Sequence, residues 1–386
     1  MEASASLSNI PNHIIQHILL QLPVKFVIRC QCVCKRWRSL IQDDNFKLSY
    51  RGQGRLLILT HESRGRNYRN SRFFVRSTGN DLRLQRHKWP FGEGYPLIRE
   101  SNIYGVKLCY CNGLVLVVAE RDLLWWNPST RCSTKVLEGP YAEPRSVILA
   151  GLCFNSCTRD YKAVLLLSRG FGQSLVISAS LTHKEWRPVE FPYCSDAIRD
   201  GVNFRNTFHW WVISDTKYHQ DWDFLPSCDK IIYFDPIRDE FRNLPTPKLR
   251  HGQEYLIVGL GVINDYFCMA HEEVNPNKIQ VLIMKEYGRQ ESWMTAFAIQ
   301  TSEFIDTFGG YDDNSITFYS LKKDAHEILF LSTSGWPRKK VCVYDRKKDE
   351  LKEVLMDILT SHKYIVSMCF YVESLVCHGH TGLLSQ

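Results

Sequence analysis

Ile231-Ile232-Tyr233-Phe234 runs into the polar turn Asp235-Pro236 and re-emerges at Glu240-Phe241, a strand, a tight turn and a second strand opening on an aromatic residue. The pattern recurs. Phe73-Phe74-Val75-Arg76 leads to Gly79-Asn80-Asp81, and Leu123-Leu124-Trp125-Trp126 leads to Asn127-Pro128-Ser129-Thr130. Leu175-Val176-Ile177 leads to Thr182 and Trp186, Val281-Leu282-Ile283-Met284 to Lys285 and Trp293, and Val341-Cys342-Val343-Tyr344 to Asp345. With Ser77, Asn127, Thr182, Asp235, Lys285 and Asp345 as turn markers, the separations are 50, 55, 53, 50 and 60 residues. Short apolar runs closed by polar turns predict strands. A period of this length, supplying several strands each time, is the mark of a β-propeller blade. Six units of about 56 residues would fill the 336 residues beyond Tyr50.

Inner hairpins are expected at Asn112-Gly113, Asn206-Thr207 and Asn264-Asp265. A two-sheet sandwich, the rival architecture, does not explain six evenly spaced turns. A ring needs its ends joined, so Tyr364 to Val376 is expected to supply a closing strand to the first unit. Trp125, Trp126, Trp186, Trp210 and Trp293 read as packing between blades. Lys352 to Leu359 is the best short helical pattern in this region.

The first fifty residues have a different period. Ile10, Ile14, Ile15, Ile18, Leu19 and Leu22 lie on one face of a helix. Pro11 suits its first turn, and Pro23 stops it and can open the next. Val24, Val27 and Ile28, then Val33, Trp37, Leu40 and Ile41, continue with helical spacing, and Asp43-Asp44-Asn45 closes the segment. Three short helices in so little chain expose more apolar surface than they can bury alone, which calls for a partner or for the rest of the chain.

The chain has 386 residues and a net charge of +7, unevenly spread. Residues 1–50 carry 6 Lys+Arg against 3 Asp+Glu, residues 51–90 carry 10 against 2, and residues 91–386 carry 32 against 36. A uniformly basic nucleic-acid coat does not fit that distribution. No stretch approaches ~18 uninterrupted apolar residues, so no membrane span is expected. Met1 to Ile10 shows no secretory pattern, so the fourteen cysteines read as buried thiols of a reducing cytoplasm or nucleus. Cys30, Cys32 and Cys34, read as helical, would diverge around the axis. Cys109/Cys111 and Cys153/Cys157 lack a second ligand pair, and His378/His380 lack a cysteine pair, so no metal is expected.

Ile10-Pro11 … Leu22-Pro23-Val24-Lys25 … Val33-Cys34-Lys35-Arg36-Trp37 resembles an F-box across residues 7–48. Phe26 stands where that family commonly has a small polar residue, and Val27-Ile28 where leucines are usual. The resemblance implies docking onto a Skp-type adaptor and, through it, a cullin and a RING subunit. Ile10, Pro11, Leu22, Pro23 and Val24 would lie at the adaptor surface, with Val33, Cys34 and Trp37 packing or supporting it. Trp37 fits an intradomain core equally well.

Gly151-Leu152-Cys153-Phe154-Asn155 with Asp160-Tyr161-Lys162-Ala163-Val164 resembles the plant F-box-associated domain. So do Phe234-Asp235-Pro236 … Leu244-Pro245, Met284 to Trp293, and Tyr371 to Leu375. The set is similar to the kelch-like group that includes the S-locus F-box proteins, although one double glycine, Gly309-Gly310, departs from strict kelch. The expected architecture is mainly β: a three-helix F-box module over 1–50, then a kelch-like β-propeller of about six blades over 51–386 that recognises a substrate.

No nucleophile elbow, phosphate-cradling loop or His-Glu-x-x-His is present, so neither catalysis nor a cofactor is expected. The reading is a receptor subunit of a ubiquitin ligase that tethers a target protein for ubiquitination. An RNA- or phospho-ligand-binding propeller outside a ligase is the alternative. Candidate substrate residues are Arg64, Arg66, Arg69 and Arg72, part of a basic stretch that continues through Arg76, Arg83 and Arg86 with Tyr68, Phe73 and Phe74 between. Such a stretch can hold phosphates or carboxylates, or be a solvated loop and one charged strand face. Tyr218 and Trp222, in the long loop from Asp215 to Asp229, are the second candidate. An acidic or phosphorylated target suits the arginines.

Overall fold

A computed structural model describes residues 10–62, 72–78, 83–87, 89, 106–119, 122–140, 147–168, 174–193, 197–213, 229–247, 255–273, 278–300, 316–320, 326–332, 339–354 and 363–377. The described N-terminal segment forms α1 (Asn12–Gln21), α2 (Val24–Cys30), α3 (Lys35–Gln42) and α4 (Asp44–Ser49). Pro11 and Pro23 each precede a helix, and their carbonyls accept its first backbone bonds, from Ile14 and Ile15 and from Phe26 and Val27. A fourth helix appears where the sequence reading closed the segment. The Asp43 carboxylate accepts the Phe46 amide at 3.0 Å, which caps α4 rather than ending the unit. Helix α2 ends at Cys30, so Cys32 and Cys34 are not helical as expected but lie in the turn that leads to α3.

Beyond Tyr50 the described strands assemble into six four-stranded units, laid out from the ring's axis outward. Blade 1 is Lys363–Val372, Gly54–Glu62, Arg72–Thr78 and Leu84–His87. Blade 2 is Lys107–Cys111, Leu114–Ala119, Asp122–Asn127 and Cys132–Glu138. Blade 3 is Val147–Asn155, Asp160–Ser168, Ser174–Ser180 and Glu185–Val189. Blade 4 is Ile198–Phe204, Thr207–Val212, Lys230–Asp235 and Glu240–Leu244. Blade 5 is Tyr255–Ile263, Tyr266–Glu273, Lys278–Met284 and Trp293–Gln300, and blade 6 is Ile316–Ser320, Glu327–Ser332, Val341–Asp345 and Glu350–Val354.

All six repeat markers sit at the turn between third and fourth strands, or on the strand leading into it. In blades 2, 4 and 6 the side chain of Asn127, Asp235 or Asp345 accepts the amide two residues on, at 2.8, 2.9 and 3.0 Å. Arg131, Asp239 and Asp349 then take φ of 64°, 57° and 53° to re-enter the fourth strand. Two inner hairpins fall where expected and the middle one turns a residue earlier, because Thr207 already opens the next strand; both central residues are at positive φ in Asn112-Gly113, Arg205-Asn206 and Asn264-Asp265.

The ring closes as anticipated: Lys363–Val372 pairs antiparallel with Gly54–Glu62, joining the end of the propeller to its beginning. Phe370 on that strand stacks on Tyr319 of blade 6, with ring centroids 4.7 Å apart. Glu350–Val354 is a strand rather than the start of a helix, because it completes a hairpin with Val341–Asp345. One feature departs from six independent sheets. The innermost strands of blades 5 and 6 pair in parallel, Gly259 opposite Ile316 and Gly261 opposite Phe318. A Cβ on Gly261 would lie 2.2 Å from the Phe318 ring, so only glycine permits that approach.

Packing between blades uses the tryptophans in two ways. Trp125, Trp126 and Trp210 are buried, filling the space between sheets. Trp186 and Trp293, on equivalent outer strands, clip one blade to the last: their indole N–H groups donate to the carbonyls of Glu138 and Pro245, each at 2.9 Å. The thiols divide. Cys109, Cys111, Cys153, Cys268 and Cys342 are buried as expected, whereas Cys32, Cys34 and Cys157 are exposed because they stand in turns.

Candidate functional site

Each helix of the N-terminal module has an inner and an outer row. Ile15 and Leu19 of α1, Val24 and Val27 of α2, Leu40 and Ile41 of α3, and Phe46 of α4 form its core. On α1 and α2 and in the turn before α3, part of the outer row is also apolar. Ile14 and Ile18 on α1 are 43% and 46% exposed, Phe26 on α2 is 50% exposed, and Val33 in the turn before α3 is 55% exposed. Among the described residues the only other large apolar side chains so exposed are Ile237 and Met294. Four of six in twenty residues of chain is a concentration that scattered surface hydrophobics do not show.

The residues expected at an adaptor surface separate by burial. Pro11, Pro23, Val33 and Cys34 are exposed, and Ile10, Leu22 and Trp37 are half-buried against the core. Val24 is buried and faces inward, at 7% exposure. Cys34 has a local role: its Sγ accepts the Trp37 amide at 3.5 Å and caps α3. Ile14, Ile18 and Phe26 were not singled out as surface residues, because helical spacing gives an apolar stripe without saying which edge of a wide stripe faces out. Arg36 of the same motif donates to the Ile10 carbonyl at 2.5 Å and to Asn12 Oδ1 at 2.7 Å, fixing the start of α1 against α3.

The module is welded to the propeller through the chain's other end. Leu375 is buried in the helical core beside Tyr50, whose hydroxyl donates to the Leu22 carbonyl at 2.8 Å. Burial pushes the Tyr50 hydroxyl pKa well up, with Glu373 adding to the rise. Glu373 exchanges backbone bonds with Gly52 and Gln53, and its carboxylate pairs with Arg55. Ser374 and Val376 then cross blade 2, where the Asn127 amide donates to their carbonyls at 3.1 and 2.7 Å. Arg51 reaches Asn112 on the same blade at 2.7 Å.

These contacts lie on the side of the ring that carries the first-to-second and third-to-fourth strand turns. The described strands that flank 63–71 and 214–228 end on the opposite side. Arg64, Arg66, Arg69, Tyr218 and Trp222 lie outside the described residues, as does the side chain of Arg72. Arg76 and Arg86 of the basic stretch are described. They are directly opposite on neighbouring strands of blade 1, both over the ring of Phe74.

The profile of the F-box associated beta propeller domain matches residues 86–377, and that of the F-box domain matches residues 7–49. An F-box/kelch-repeat protein of Arabidopsis thaliana is 27% identical over 75% of this chain and 79% of its own length. The F-box protein CPR1 of the same plant is 22% identical over 78% and 76%. Among solved structures, an oligogalacturonate lyase in complex with manganese superposes with a TM-score of 0.39 and 10% identity over 74% of this chain and 70% of that one. That overlay is too loose to inform the activity. The chain belongs to the F-box-associated β-propeller family and carries an F-box before its propeller, so that its general role is that of a substrate adaptor in a Skp–cullin–F-box ligase.

Proposed function

We propose that this protein is the substrate-recognition subunit of a Skp–cullin–F-box ubiquitin ligase, with residues 1–50 on the adaptor and the propeller holding a target protein for ubiquitination and proteasomal degradation. The observation that carries the reading is the exposure of Ile14, Ile18, Phe26 and Val33, four large apolar side chains that are 43–55% exposed among the described residues. Burying such a row against a partner contributes about 25 cal/mol per Å² of apolar surface.

The mechanism is proximity. The F-box is fixed to the propeller by Glu373, Leu375 and Asn127, so a target held by the propeller takes a defined place relative to the ligase. A lysine of the target then meets the charged ubiquitin at high effective concentration. The thioester and the attacking amine belong to other molecules. The target would take the side of the ring away from the F-box, and the free thiols suit a cytoplasmic or nuclear setting.

Binding of the purified full chain to a purified Skp adaptor tests the reading. Wild type should form a stable complex, and a variant carrying Ile18→Lys with Val33→Lys should not. No complex with wild type, or equal binding by the variant, would sink it.

A further inference from the structure

We propose that Arg76 and Arg86 of blade 1 form an oxyanion site that takes a phosphate or carboxylate group borne by a target protein. The proposal rests on the receptor reading for the bearer of the anion, and on the following geometry for the site.

Arg76, on the third strand of the blade, and Arg86, on the fourth, are paired across the ladder, so their side chains leave the same face of the sheet. Like charges placed directly opposite repel. Both guanidinium carbons lie over the Phe74 ring, at 5.5 and 4.6 Å from its centroid. The ring's negative face holds the two planes and offsets part of the repulsion, leaving N–H edges for a ligand.

Arg76 uses one of those groups on Thr60 Oγ1, at 2.9 Å, which fixes its orientation. Neither arginine makes an ion pair with a described carboxylate. Glu62, the acid whose field reaches Arg76, is a lesser influence than burial and the charge of Arg86, which together hold the Arg76 pKa below its ordinary value. Two cations held over one ring, with no ion pair to a described carboxylate, form a binding site for a group that offers oxygens to both, and a phosphate or carboxylate does so by bidentate hydrogen bonds.

The charge distribution favours a protein ligand over a nucleic acid. Residues 91–386 carry 36 acidic against 32 basic residues, so that part of the chain has no net positive charge with which to attract a phosphodiester backbone.

The full chain should be titrated with inorganic phosphate and with glutarate at constant ionic strength, using calorimetry and the shift in melting temperature. Wild type should bind one or both saturably; phosphate alone marks a phosphorylated target and glutarate alone an acidic one. Arg86→Ala, at an exposed position, should weaken binding at least tenfold, and Arg76→Lys/Arg86→Lys should weaken it while conserving charge. Adaptor binding by both variants should be unchanged, so a failure here leaves the receptor reading standing, and a failure of the adaptor to bind wild type leaves the anion site standing. Absence of saturable binding, or equal binding by Arg86→Ala, overturns the site. So does tighter, steeply salt-dependent binding of a single-stranded RNA that is lost in Arg86→Ala.

Discussion

Glu373 pairs with Arg55 across the seam where the propeller's closing strand meets its first, with the two side chains 6% and 16% exposed. One residue thereby ties ring closure to the seating of the F-box, because the Glu373 backbone also exchanges bonds with Gly52 and Gln53.

Glu373→Ala should therefore destabilise the whole protein. It leaves Arg55 largely buried without its partner, at a cost of about 3 kcal/mol. Glu373→Gln, which retains a hydrogen-bond acceptor, should cost less. Thermal unfolding checks the order, and equal melting temperatures for wild type and Glu373→Ala would contradict it.

On the F-box, stability and adaptor binding should separate by row. Ile18→Lys should change stability by no more than about 0.5 kcal/mol yet abolish adaptor binding. Leu19→Ala, one residue away and fully buried, should cost about 2–5 kcal/mol. Denaturant melts run beside adaptor titrations would read both effects.

Acid should unfold this protein earlier than its carboxylates require. Burial lowers the pKa of His209 to about 3 and of His271 to about 4, and lowers that of His61 as well. His209 is held neutral between the Thr207 carbonyl, 3.0 Å from Nδ1, and the Tyr287 hydroxyl, 2.6 Å from Nε2. In the unfolded chain each histidine takes its proton near pH 6.5. The stabilisation is thus complete above pH 6.5 and is lost as the pH falls toward 4 and then 3. The loss approaches ~1.4 kcal/mol per pH unit for each group. Among the described residues neither ring nitrogen of His61 has a hydrogen-bond partner, so His61→Leu should be neutral or stabilising at pH 7 and should flatten the acid limb. Stability measured from pH 8 to 4 decides it, and an unchanged slope in His61→Leu would exclude that residue's part.

Gly261→Ala should open the seam between blades 5 and 6. The new methyl group would meet the Phe318 ring at 2.2 Å and its carbonyl at 2.5 Å, a clash with backbone that side-chain rotation cannot relieve. A loss of about 1–3 kcal/mol is expected. Faster amide exchange over Ile316–Ser320 would locate it.

Trp293→Phe should loosen the clip between blades 4 and 5. It keeps most of the ring's packing and deletes the bond to Pro245, for about 1 kcal/mol. Trp186→Phe should do the same between blades 2 and 3. Melting temperatures for the two single variants and the double variant should show additive losses.

Local sequence determined the units of this molecule. Asn127, Asp235 and Asp345 bond to amides two residues away, and Asn112-Gly113 needs only its own backbone freedom, so the turns and their six-fold spacing could be read without a structure. The apolar periods of α1 and α2 were equally local. The F-box motif marked Pro11, Pro23 and Val33, which the fold leaves exposed. What lay between units could not be read that way. Which edge of the α1 stripe faces out, the burial of Val24, the parallel pairing of Gly259 and Gly261 with blade 6, and the arrival of Leu375 in the helical core all join residues remote in sequence. Those relationships follow from how rigid sheets and helices fill space against each other. Turn chemistry acts over a few bonds, whereas packing is a property of the assembled ring, and only the tertiary structure decided it.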